Sequence, residues 1–199
     1  SAIRDVAAAV KETTRATELA RRHRHRFHVL HVSTKDEVPI VADHGGVITG
    51  EACVHHLLFN TADYARLGTR IQMNPAVKSR ADNEGLWDAL REGRLQMVTT
   101  DHAPHTLAEK ALGYPASPSG LPAIEISLAL MLDSASKGRC TLEQVVQWMC
   151  EAPARVWDIV DKGQLREGWD ADVVLVDLER EHVVRDAEQV TKCRWTPWD

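Results

Sequence analysis

The chain has 199 residues, 44% hydrophobic and 27% charged, with a net charge of −5, which is the composition of a soluble globular protein. That balance leaves no basic patch, no apolar run approaches the length of a membrane span, and the start lacks a signal-peptide pattern, so neither a nucleic acid nor a membrane is expected as a partner. Cys53, Cys140, Cys150 and Cys193 stand without a CxxC spacing, which points to reduced thiols in a cytoplasmic protein and away from a disulfide framework.

The chain opens on Ser1-Ala2-Ile3-Arg4-Asp5 and stops within Cys193-Arg194-Trp195-Thr196-Pro197-Trp198-Asp199. Such ends read as those of a piece of a longer protein. Between them, Ile3, Val6, Val10, Leu19 and Ala20 recur at helical spacing and predict an amphipathic helix over residues 2–22. Phe27 to Val32 reads as a strand, and Ser33-Thr34 as the cap of a helix starting near Lys35. His44-Gly45-Gly46 closes that helix, and Val47-Ile48-Thr49 begins a second strand. A third strand is predicted from Arg70 to Met73, a helix over 82–92, and a fourth strand from Leu95 to Thr100. A loop rich in Pro, Ser and Gly (113–122) precedes helices near 123–136, 142–150 and 152–160.

Strand and helix alternating over about 100 residues implies parallel strands with covering helices. The fold class expected is α/β, four units forming the C-terminal half of a (β/α)8 barrel, which typically needs about 250 residues. From Lys162 the character changes: the β-branched run Ala171-Asp172-Val173-Val174-Leu175-Val176-Asp177 predicts a strand. We therefore expect barrel units over 1–162 and part of a small β domain over 163–199.

Function is written most densely in Thr99-Thr100-Asp101-His102-Ala103-Pro104-His105-Thr106. An acid just past a strand, in a loop rich in histidine, is the arrangement of a metal-dependent barrel hydrolase; the plainer alternative is an aspartate capping the next helix. The other strand ends weigh against the plain reading. His31 closes the first strand, His55 and His56 lie just beyond the second, and Asn74 follows the third. In a parallel barrel all these ends open on one face. Neutral imidazole suits zinc and related ions, and His31, His56 and Asp101 offer three ligands. A metal-bound water would be acidic enough to attack an amide near neutral pH, and Asp101 could take its proton and pass it to the departing nitrogen. Asn74 and His105 are better suited to holding a polar substrate.

The segments His28-Val29-Leu30-His31-Val32-Ser33-Thr34, Glu51-Ala52-Cys53-Val54-His55-His56-Leu57-Leu58, Met73-Asn74-Pro75 and Thr100-Asp101-His102-Ala103-Pro104-His105 resemble four successive motifs of the dihydroorotases, members of the cyclic amidohydrolase superfamily. The likeness continues through Glu109-Lys110, Ser117-Pro118-Ser119-Gly120-Leu121-Pro122 and Gly168-Trp169-Asp170-Ala171-Asp172-Val173-Val174-Leu175-Val176-Asp177. It implies a barrel carrying two zinc ions bridged by a carbamylated lysine, and reversible ring closure of N-carbamoyl-L-aspartate to L-dihydroorotate in pyrimidine synthesis. By the resemblance His31 and His56 would bind the second metal, with His55 a neighbour. Asp101 would touch the first metal and shuttle the proton. Asn74 would contact the substrate ring, His105 its carboxylate, and the loop 118–122 would lie close by. A homodimer and an association with aspartate transcarbamoylase are the implied macromolecular partners.

The chain departs from the family at Cys53-Val54, where Thr-Pro is usual, and at Asn74-Pro75-Ala76-Val77-Lys78, where the family has Asn-Pro-Pro-Leu-Arg. The family's His-x-His pair, a nearby arginine and the bridging lysine belong upstream of Ser1, so this segment alone is expected to bind at most one metal and not to turn over. Alternatives are a hydantoinase or allantoinase on the same scaffold, against which Ala103-Pro104-His105 argues, and a metal-free structural homologue.

Overall fold

The computed structural model describes residues 6–42 and 47–199. The helix expected over 2–22 is α1 (Val6–Arg22); its first four residues, and the closing His44-Gly45-Gly46, lie outside the described residues. The face α1 buries is carried by Thr13, Thr17 and Ala20, while Leu19 stays exposed. Two buried threonines are tolerated because each hydroxyl is bonded: Thr13 Oγ1 to Glu37 Oε1 at 2.8 Å and Thr17 Oγ1 to the Thr13 carbonyl at 2.8 Å.

Three strands, β1 (Phe27–Val29), β2 (Ile48–Cys53) and β3 (Met97–Thr99), form a parallel sheet in sequence order. Phe27 pairs with Ile48 and Val29 with Gly50; Glu51 pairs with Met97 and Cys53 with Thr99. Helices α2 (Val38–Ala42), α3 (Val54–Leu58), α4 (Tyr64–Leu67) and α5 (Arg80–Arg91) lie in the connections, the crossovers that parallel strands require. Ser79 and Asp82 close a reciprocal capping box that starts α5. The helices bury Val38, Val41, Leu86 and Leu90 with Val29, Ala52 and Val98 in one continuous core. Met97, alternating to the other face of the sheet, packs instead with Ala152 and Val156. Gly50 admits the close approach: a Cβ there would meet Val41 Cγ1 at 2.7 Å.

The strand expected over Arg70–Met73 is not formed. Gly68–Ile71 is a 3-10 turn, and β2 pairs directly with β3, leaving no ladder position between them. Ile71 and Met73 are both buried, so the segment carries a strand's alternation without a strand's partner. The first strand also ends earlier than expected, at Val29. His31 takes φ of 40° and interrupts the ladder, which resumes for one bond when the Val32 amide donates to the Glu51 carbonyl at 2.9 Å.

Downstream, α7 (Ser127–Ser136) matches the expected apolar helix, its start delayed by a turn. The two helices expected over 142–160 are one continuous run: α8 (Leu142–Val146), a π-turn over Gln147–Glu151, and α9 (Ala152–Val156). Pro153 has no amide hydrogen to donate four residues back, and the widened turn before it accommodates that loss.

The tail departs most from expectation. No strand forms between residues 163 and 199 among the described residues. Val173, Val174 and Leu175, expected in a strand, are 58%, 69% and 94% exposed. A β-branched run becomes a strand only with a ladder partner, and none is present among these residues. The last stretch does pack: Trp195 is fully buried, Arg70 donates to Asp186 Oδ2 at 2.9 Å and to the Thr196 carbonyl at 2.8 Å, and Phe59 stacks on Trp198.

Candidate active site

Because the strands are parallel, their C-terminal ends deliver His31, the Cys53–His56 segment and Asp101 to one end of the sheet. His31 and Asp101 both adopt positive φ, 40° and 41°, a left-handed conformation that a non-glycine residue adopts at an energetic cost. The same device at two strand ends turns the chain sharply where a polar side chain must leave the ladder. Both residues are half-buried.

Glu51, one turn of alternation back on β2, ties the site together. Its carboxylate meets His28 Nε2 at 3.0 Å and accepts from the His31 amide at 3.3 Å. Burial pushes this carboxyl upward, yet the hydrogen bonds from His28 and Thr99 outweigh it and hold it below the ordinary carboxylate range.

Beyond β2, α3 (Val54–Leu58) carries His55 and His56, both fully buried with ring centroids 4.2 Å apart. His56 Nε2 lies 2.9 Å from the Pro75 carbonyl. A carbonyl can only accept, so the proton sits on Nε2 and Nδ1 presents a lone pair, and that Nδ1 has no partner. His55 has no partner at either ring nitrogen. Burial holds both rings neutral: it drives His56 down to about 3, with Lys78 and His31 pushing the same way, and drives His55 well below its ordinary value, reinforced by His56 and His31. Cys53 Sγ, 3.3 Å from Thr99 Oγ1, has its thiol pushed far up by burial, with the charges of Glu51 and Asp101 adding to the rise. One ligand atom each from Cys53, His55 and His56 lies within 4.8 Å of the others. Neutral imidazoles with unspent lone pairs, beside a carboxylate, are a donor set that fits a borderline-soft cation such as zinc.

Sequence reasoning named His31, His56 and Asp101. The structure groups His56 with Cys53 and His55, while His31 and Asp101 follow the two strands that flank β2. His55, read as a mere neighbour, carries the larger unspent donor capacity. Asn74 is exposed, joined to Pro75 by a cis peptide bond and thereby one residue from the carbonyl that holds His56. His105 is half-buried on the loop after Asp101; its carbonyl accepts from Trp195 Nε1 at 2.6 Å. Between them His102 Nδ1 accepts from the amides of Ala123 and Ile124, each at 3.2 Å, so His102 anchors the loop. Among the described residues, Asn74 and His105 lie outside the Cys53, His55 and His56 group. Glu51 and His28 escaped the sequence reading; an acid on an inward strand position opposite a histidine was the available signal.

A cavity of about 730 Å³ lies elsewhere, lined by Arg26, Phe27, His28, Thr49, Gln96 and Trp157. These residues cluster at the N-terminal ends of the strands, whereas ligands of parallel α/β sheets bind outside the C-terminal ends; the histidine-rich end is the candidate site.

The sequence model described as "Amidohydrolase family" matches residues 4–195. A dihydroorotase of Halobacterium salinarum is 37% identical over 199 residues, covering 100% of this chain and 47% of that protein. A dihydroorotase of Geobacillus thermodenitrificans is 38% identical over 176 residues, 86% of this chain and 41% of its own length. The chain thus spans about half the length of the curated relatives it matches. Among solved structures, the L-hydantoinase (dihydropyrimidinase) from Arthrobacter aurescens superposes with a TM-score of 0.88 at 30% identity, covering 96% of this chain and 44% of that one.

Proposed function

The chain belongs to the amidohydrolase family, and from that premise we propose that it is part of a zinc-dependent dihydroorotase. The reaction is the reversible hydrolysis of the cyclic amide L-dihydroorotate to N-carbamoyl-L-aspartate. The observation that carries the reading is the placement, at one end of the parallel sheet, of Asp101 and two buried neutral imidazoles, His56 with its Nδ1 unspent and His55 with neither ring nitrogen bonded. The dihydroorotase relatives, at 37% and 38% identity, support this substrate over the wider class.

Bound among His31, His56 and Asp101, zinc would supply Lewis-acid polarisation and a water of lowered pKa. His56 would engage through Nδ1, since Nε2 is committed to Pro75. Asp101 takes the proton from the attacking water and returns it to the ring nitrogen as the amide bond breaks. Asn74 and His105 hold the substrate, His105 at its carboxylate. A second zinc, a homodimer, an association with aspartate transcarbamoylase, a role in pyrimidine biosynthesis and a cytoplasmic location belong to the same reading.

The full-length protein, assayed with dihydroorotate, hydantoin and allantoin, tests it. Turnover of dihydroorotate is expected to exceed the others by at least about tenfold in kcat/KM. Preference for hydantoin would establish instead the second reading, a hydantoinase, which the TM-score of 0.88 to the L-hydantoinase specifically favours. Metal analysis of the same sample giving less than about one zinc per chain would support a metal-free homologue.

A further inference from the structure

Lys110 is 1% exposed, and a lysine so deep normally faces a carboxylate. Among the described residues no carboxylate comes within 4.0 Å of it. Its ammonium instead donates to three backbone carbonyls: Gln72 at 3.1 Å, Pro118 at 2.8 Å and Gly120 at 2.7 Å. Burial brings the amine down to about 8, which still leaves it protonated at neutral pH, so it can fill all three bonds.

Those carbonyls belong to segments far apart in the sequence. Gln72 lies two residues before Asn74. Pro118 and Gly120 sit in the loop expected near substrate, and Lys110 itself ends α6 (Leu107–Lys110), whose capping residue Thr106 follows His105 directly. Neighbouring bonds close the same junction. The Gly120 amide donates to the Gln72 carbonyl at 2.9 Å, Gln72 Nε2 donates to the Ser117 carbonyl at 2.6 Å, and the Ala103 amide donates to the Leu121 carbonyl at 3.2 Å. Gly120 has φ of +132°, and a Cβ there would fall 2.4 Å from the Ala103 carbonyl and 3.1 Å from His105 Cδ2. The loop is therefore pressed onto the segment that carries His105, with Lys110 beneath it.

We propose that Lys110 is a positioning residue: its buried ammonium, bridging the Gln72, Pro118 and Gly120 carbonyls, sets the mutual placement of Asn74, His105 and the 117–121 loop as a substrate-binding wall. The assignment rests on the cyclic-amidohydrolase reading above. It separates binding from chemistry, because the Lys110 ammonium bonds only the Gln72, Pro118 and Gly120 carbonyls and none of these belongs to Asp101 or to the imidazole cluster.

The test compares full-length wild type with Lys110→Met and Lys110→Arg, and with Gln72→Leu as a milder variant that removes only the tie to Ser117. Steady-state kinetics on dihydroorotate are paired with zinc content and with hydrogen exchange over residues 101–121. Lys110→Met is expected to raise KM at least about tenfold with kcat within about threefold, at unchanged zinc content and with faster exchange over that segment. Lys110→Arg should recover part of the loss, and Gln72→Leu should move KM in the same direction by less. Unchanged KM in both Lys110→Met and Gln72→Leu overturns the proposal. A loss of kcat and zinc together in Lys110→Met, with Gln72→Leu indistinguishable from wild type, also overturns it. Wild type that turns over none of the cyclic amides refutes the functional reading alone; unaltered exchange over 101–121 in Lys110→Met then refutes the positioning role by itself.

Discussion

Two regions of this chain carry β-prone sequence, and only one builds a sheet. In the first, strands β1, β2 and β3 pair in register and bury Val29, Ala52 and Val98 beneath helices. In the second, residues 171–177 hold an equally β-branched run whose valines and leucine face solvent. Intrinsic preference is similar in the two; what differs is the presence of a ladder partner and an apolar surface to cover. The tail is itself divided, for its final residues dock firmly while its middle does not. Function follows the same line, since the polar side chains proposed to act all lie on or beside the paired sheet.

The largest effect expected within the tail is at its docked end. Trp195 is fully buried, donates its indole hydrogen to the His105 carbonyl and lies under the Arg70 guanidinium. Trp195→Ala should cost about 3–5 kcal/mol in unfolding free energy, read from urea denaturation. A loss under about 1 kcal/mol would mean that the end of the chain is not packed as described.

At the sheet end, Asp101→Asn in the full-length enzyme removes the proposed proton shuttle and should lower turnover at least about a hundredfold, roughly 2.7 kcal/mol in barrier. Near-normal kcat would refute that role. The paired variant His105→Ala should raise KM more than it alters zinc content. Failure of both would break the contrast between a functional sheet end and a structural tail.

How far the sequence discloses these regions follows from what each residue's state depends on. The placement of His31 and Asp101 is legible because a short apolar run locates a parallel strand and strand ends share a face, although β1 stops at Val29, where the run alone would carry it to Val32. The 70–73 segment misleads because burial of Ile71 and Met73 alternates as in a strand while the backbone makes a 3-10 turn. The 171–177 run misleads because a propensity carries no information about a distant partner. Lys110 escapes notice because lysine is ordinarily exposed, and its three acceptors are backbone atoms from segments that only folding brings together. Motif position ranks His56 above His55, whereas which nitrogen His56 can offer depends on a carbonyl at Pro75.

The buried imidazoles also make a pH prediction for the metal-free protein. The folded state holds His56 unprotonated down to about 3, whereas in the unfolded chain it protonates near 6.5. Between those values the unfolded state binds the extra proton, so stability is fully present above pH 6.5 and falls as pH drops toward 3. From pH 6.5 to 5 the expected loss is about 2 kcal/mol from His56 alone, and His55 shifts in the same direction. Urea denaturation at the two pH values measures it. His56→Gln should flatten the slope, and an unchanged slope in that variant would place the titrating group elsewhere.

The smallest expected effect is the sharpest test of the comparison. Leu175 is 94% exposed and belongs to a run that makes no ladder. Leu175→Ser should therefore change unfolding free energy by no more than about 0.5 kcal/mol, as a surface substitution away from any partner does. The corresponding change on the sheet, Val98→Ser, removes a buried side chain and leaves a hydroxyl in an apolar core, where a loss of at least about 2 kcal/mol is expected. Should Leu175→Ser cost as much as Val98→Ser, the 171–177 run would have to bury Leu175 against a partner in the full-length protein. Its β propensity would then be satisfied by pairing with chain beyond these residues. Equal denaturation midpoints for wild type and Leu175→Ser, against a shifted midpoint for Val98→Ser, would confirm that here a ladder partner decides what sequence preference leaves open.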